Sequence, residues 1–127
     1  MKLTVKQLIM GSDALKRLGE KGVKTLTYKT FYAVGKNIGH IDHELARYNR
    51  DYQRIIAEYS SVQPDGVYGV AAKDIVVLNQ IIEEAQSVEV DIPIMVISMI
   101  EETMDKADIH AADWSVLDWM IILEEPK

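Results

Sequence analysis

Residues 28–59 read YKTFYAVGKNIGHIDHELARYNRDYQRIIAEY, and the spacing of apolar side chains in this stretch decides the fold. Phe31, Val34, Ile38, Ile41, Leu45, Tyr48, Tyr52, Ile55 and Tyr59 follow one another at alternating steps of three and four. That rhythm predicts one long amphipathic helix. Thr27, just before it, supplies a capping hydroxyl. At about 1.5 Å per residue the helix is about 48 Å long. A chain of 127 residues folds to a radius of gyration of about 14 Å, so the helix must protrude or bend. Gly35 and Gly39 predict a kink or a close helix contact, not a break, because the register survives across them.

With Phe31 at heptad position a, the e and g positions are Gly35, Asn37, Asp42, Glu44, Asn49, Asp51, Ile56 and Glu58. Every charge among them is acidic, so two identical parallel chains gain no complementary pairs. The seam is expected to pack within the chain, in a monomer or small homo-oligomer. Positions c and f read Lys29, Ala33, Lys36, His40, His43, Arg47, Arg50, Arg54 and Ala57. They predict an outward basic stripe without an acid, about 38 Å long from Lys29 to Arg54. Its bland alternative is a solvated face stitched by Glu44–Arg47, Arg47–Asp51 and Arg54–Glu58, pairs that contribute only about 0.2–0.5 kcal/mol each.

Charge is polarised along the whole chain. Residues 1–60 hold eleven Lys/Arg against six Asp/Glu; residues 61–127 hold three against fourteen. The halves either neutralise each other on folding or offer charged surfaces to partners. Hydrophobic residues make up 48% and charged residues 27%, which excludes a disordered or collagen-like chain. The length predicts one domain, residues 1–127. No apolar run reaches the roughly 20 residues of a membrane span, and the opening MKLTVKQLIMGSDALKRLGEK lacks the apolar core of a secretory leader. Together with the absence of cysteine, this leads us to expect a cytoplasmic protein.

Around the long helix the sequence predicts an α+β fold, predominantly helical, with four to five helices and a small sheet of strands at about 67–70 and 88–97. Thr4-Val5-Lys6-Gln7 is a capping box that opens a first helix, with Gly22 as its stop and Lys21 in its last turn. Gln63-Pro64-Asp65-Gly66 is a turn. Residues 72–86 form a helix whose apolar positions, Ile75, Val76, Val77, Leu78, Ile81 and Ile82, predict burial on more than one side. Ser98-Met99-Ile100-Glu101 reads as a second capping box, and Asp108 as the cap of a last helix carrying Trp114, Leu117, Trp119, Ile121 and Ile122. Trp119 is the candidate anchor for a partner, since tryptophan is enriched among the residues that dominate binding energy.

Reaction chemistry is sparse. The sequence has no phosphate-binding loop, no dinucleotide fingerprint and no nucleophile elbow. His40, His43 and Glu44 lack the spacing of zinc peptidase motifs, and the adjacent glutamates at 83/84, 101/102 and 124/125 point apart on a helix. No cofactor, metal or catalytic residue is expected, and the chain is read as a non-enzyme.

The order of features resembles that of small phage-encoded accessory proteins of unknown function. The stretches that carry the resemblance are MKLTVKQLI, YAVGKNIGHIDHELARYNRDYQ, PDGVYGV, VEVDI and WSVLDWMIIL. It implies a viral accessory product, working in the host cytoplasm by binding and modulating a host component such as a defence system. The expected function is therefore a protein-interaction module. Its contact surface is expected to be the basic stripe or the acidic second half, and its candidate contact residues are Lys29, Lys36, His43, Arg47, Arg50, Arg54 and Trp119. The alternatives are a nucleic-acid binder using the same stripe and a virion structural or assembly protein.

Overall fold

The Thr4 hydroxyl accepts from the Gln7 N–H at 3.1 Å, and the Gln7 side chain accepts from the Thr4 N–H at 2.9 Å. This reciprocal cap starts α1 (Val5–Gly19) directly after a short strand, β1 (Lys2–Thr4). The computed structural model describes residues 1–124. Within them the chain continues through α2 (Tyr28–Tyr59), β2 (Ser60–Val62), β3 (Tyr68–Val70), α3 (Ala72–Gln86), β4 (Glu89–Asp91), β5 (Ile97–Ile100), α4 (Glu101–Ala107), α5 (Ala111–Leu117) and β6 (Ile121–Glu124). The fold is α+β and mostly helical, with five helices among the described residues.

Among the described residues the strands form three two-stranded sheets where one small sheet was expected. β1 pairs antiparallel with β4, Leu3 opposite Val90. β2 and β3 form a hairpin across the expected turn, closed by Gln63 N–H to Val67 C=O at 2.9 Å. β5 and β6 pair in parallel, Ile97 opposite Ile121. Two expectations fall here. Ser98 lies inside a strand, so no capping box opens at 98–101. Ile121 and Ile122 belong to β6, so the last helix ends at Leu117. Both runs are short and mostly apolar, a pattern in which periodicity cannot separate a strand from a buried helix.

The helix ends also differ from expectation. α1 stops at Gly19, before Lys21, and Gly22 takes its left-handed φ of 68° in the following turn. Asp108 adopts φ 48° just past α4, a conformation aspartate tolerates better than most residues. His110 takes the N-cap position of α5 instead.

The core forms where α1 lies along α2, with α5 and the β5–β6 pair closing its other sides. Leu8, Leu15, Leu18, Ile41, Leu117 and Met120 are fully buried there. Gly11 admits the Trp119 ring: a Cβ at this position would sit 3.2 Å from Trp119 Cζ2. α3 has the expected bounds, but it is not buried on more than one side. Leu78 is its one buried residue, and Ile75, Val76 and Val77 are exposed. Three consecutive helical residues point about 100° apart, so one packing surface cannot cover them all.

Candidate interaction surface

The Thr27 hydroxyl accepts from the Thr30 N–H at 3.2 Å and starts α2, which runs without interruption to Tyr59. Its buried residues are Thr30, Ala33, Val34, Asn37, Ile41 and Leu45. This face is turned slightly from the a/d seam. Phe31 is exposed, while Asn37, a flanking position in the heptad register, is fully buried. The reason is chemical. Asn37 donates to the Met95 C=O and accepts from the Met95 N–H, both at 2.8 Å, so its amide pairs with the extended chain leading into β5 as another strand would. Ala33, counted in the basic stripe, is also buried and belongs to the core.

The polar residues of the stripe stand outside. Lys29, Lys36, His43, Arg47, Arg50 and Arg54 are all exposed, with His40 half-buried among them. Arg47, Arg50 and Arg54 fall within about 60° of one another around the axis. The expected stitching is mostly missing. Among the described residues Arg54 meets Glu58 at 3.9 Å, and none of Lys29, Lys36, Arg47 and Arg50 has a carboxylate within 4.0 Å. Lys36 instead lies over the Tyr32 ring, 5.7 Å from its centroid.

Neutralisation between the halves is equally thin. Among the described residues, one side-chain ion pair crosses from residues 1–60 to the rest, Arg17 with Asp113. Arg17 Nε donates to Asp113 Oδ2 at 2.7 Å. This hydrogen bond, reinforced by the guanidinium charge, holds the Asp113 carboxyl below the usual carboxylate range although burial pushes the other way. Lys16 and Ser12 both reach Asp42, at 3.2 Å each, and tie α1 to α2.

Trp119 does not join the cationic face. It is half-buried, its ring against Gly11 of α1, and it belongs to the packing around the core. The distal half of α2 meets α3 across a cleft of about 290 Å³, walled by Tyr52, Ile55, Ile82 and Val88, with Arg47 at its edge. On the same helix Tyr48 accepts a hydrogen bond from Gln86 at 3.0 Å, the hydroxyl partner that a tyrosine on the seam requires. Sequence reasoning missed the exposed aromatic group Tyr28, Phe31 and Tyr32 at the start of α2. The available signal was that Tyr28 and Tyr32 lie off the apolar register. Among the described residues no group of three or more His, Cys, Asp or Glu is placed to hold a metal, and no helix is long and apolar enough to cross a membrane.

In comparisons with known proteins, the chain matches no family model, no curated protein and no solved structure.

Proposed function

We propose that this chain is a non-enzymatic protein-interaction module that uses the cationic face of α2 to engage an acidic surface of another protein. We further propose, from the resemblance to phage accessory proteins, that the target is a component of the host. The observation that carries the reading is that Lys29, Lys36, Arg47 and Arg50 are exposed and, among the described residues, have no carboxylate within 4.0 Å. A solvated helix face gains a few tenths of a kcal/mol from each local ion pair. Here Glu44 and Asp51 stand at suitable spacing, yet neither comes within 4.0 Å of Arg47. A guanidinium left free is available for bidentate pairing with a partner's carboxylate.

The test is capture from bacterial lysate by the wild type and by the triple variant Arg47→Glu, Arg50→Glu, Arg54→Glu, at two salt concentrations, with and without nuclease. The reading expects a specific protein that survives nuclease, weakens with salt and is lost with the variant. Loss of all binding after nuclease would replace it with nucleic-acid binding. Self-association in place of capture would replace it with an assembly role. Binding that ignores the charge reversal would remove the face from the account.

A further inference from the structure

Beside the cationic stripe, and about half a turn from the buried Asn37 and Ile41, a second line of residues runs along α2. Tyr28, Tyr32, Gly35 and Gly39 are separated by four, three and four positions, so they lie within about 60° of one another. Tyr28 is 70% exposed, Tyr32 45% and the neighbouring Phe31 38%. The two tyrosine rings are 6.2 Å apart and tilted by 40°. At Gly35 and Gly39 no side chain or other element lies within 4 Å of where a Cβ would be. Together these residues line an open groove of about 450 Å³, with aromatic rings at one end, bare backbone at the other, and Lys36 and His40 along the edge.

Three large aromatic side chains grouped on an exposed helix face are more than a solvated surface needs. Tyrosine and phenylalanine deliver large apolar contact area at a low cost in side-chain entropy. We propose that this groove seats an acidic amphipathic α-helix of a partner protein, a proposal that rests on the interaction-module reading above. Its apolar ridge passes over Gly35 and Gly39 between the aromatic rings, and its carboxylates face Lys29, Lys36 and His43.

Charge complementarity selects this occupant. The edge of the groove toward the stripe carries Lys36, with Lys29 close by, and neither lysine has a carboxylate within 4.0 Å among the described residues, while the opposite edge, beyond Phe31 and Gly35, holds Lys16 and Glu20. The nearby Asp42 is already engaged by Lys16 and Ser12. Two glycines one turn apart offer the kind of depression into which a ridge of a second helix packs. A second copy fits less well. Its α2 would bring the same cations face to face, and the exposed apolar residues of its acidic α3 are consecutive, Ile75, Val76 and Val77, so they form no ridge. A nucleic-acid strand would meet Glu44, Asp51 and Glu58 on the other flank of the stripe, and its phosphates have no use for a glycine floor.

The test is selection from a displayed library of helical peptides on a fixed scaffold, with apolar face residues varied and flanking positions randomised between Glu and Lys. The full chain is the bait. Recovered helices are expected to carry Glu flanks and to lose tenfold or more in affinity for the double variant Gly35→Leu, Gly39→Leu. That variant fills the groove while favouring helix formation, so the fold is retained. A melting temperature at or above the wild type confirms that loss of binding is not loss of structure. Helices without a Glu preference, or helices that bind the glycine variant equally, would overturn the proposal. Glu-rich helices that ignore the glycine variant yet fail on the Arg47, Arg50, Arg54 reversal would overturn the groove and keep the interaction module. Indifference to both variants would remove both. The groove also falls if no helix is recovered, or if a 20-nucleotide single strand or a second copy occupies the face instead.

Discussion

α1 and the part of α2 up to Leu45 bury Leu8, Leu15, Leu18, Val34 and Ile41 almost completely, whereas α2 beyond Leu45, the hairpin and α3 bury a single apolar side chain, Leu78. In this second region Val62, Val67, Tyr68, Ile75, Val76 and Val77 remain exposed. α2 belongs to both: its buried positions end at Leu45, and beyond that its seam residues are only half covered. The contrast teaches where stability is stored. One region is held by dense packing, and the other is an arm carried outward by the continuity of a helix. Local opening free energies follow such differences in apolar contact. The cationic face runs from one region into the other, so its proximal end rests on a rigid base and its distal end on the looser arm.

The largest expected effect lies in the core. Leu15→Ala should cost about 2–5 kcal/mol, because a fully buried leucine leaves a cavity that its neighbours fill only in part. Leu78→Ala should cost under about 2 kcal/mol, since one side of α3 has little to lose. Urea denaturation of both variants measures the difference. Equal losses would erase the distinction between core and arm.

The next effect concerns the strap between α2 and the segment before β5. Asn37→Leu removes both hydrogen bonds to Met95, at an expected cost of about 1–3 kcal/mol. Faster exchange of the Met95 amide, with the α3 amides unchanged, would place the damage in the core region alone.

A smaller effect should appear in acid. The Asp113 carboxyl titrates below its usual range in the folded chain because Arg17 holds it ionised. Its contribution is therefore complete above the unfolded value, about 3.9, and is lost as pH falls through the lower folded value. Melting temperatures measured from pH 6 downward should show this loss in the wild type and a shallower one in Asp113→Asn. Arg17 and Asp113 lie on α1 and α5, so amides of α3 should not follow this titration.

The parts of the fold that were legible in sequence are those set by local chemistry. The Thr4 box, the Thr27 cap, the bounds of α2 and α3 and the turn at 63–66 all depend on residues within a few positions of one another. What escaped depends on distant partners. Ser98–Ile100 reads as a helix start until Ile122–Glu124 arrives beside it, with two helices between them in sequence. Asn37 looks like a surface position until Met95, 58 residues further on, offers its backbone. The cationic face was legible because helical periodicity alone aligns Lys29 through Arg54. Its lack of local ion pairs was not, because exposed pairs are so weak that side-chain packing decides whether they close. The exposed aromatic group was misread for a related reason: Phe31 keeps the apolar rhythm but lies at the rim of the buried face.

The most direct measurement uses the absence of cysteine in the chain. Lys29→Cys with Arg54→Cys introduces the only two thiols, both at exposed positions at opposite ends of the cationic face. Spin labels there report the distance between them by pulsed electron resonance. One uninterrupted helix is expected to give a narrow distribution centred at about 38 Å, the rise of 25 residues at about 1.5 Å each. A broad distribution, or a centre well short of that distance, would contradict the continuous helix and with it the single face on which the proposed interactions depend.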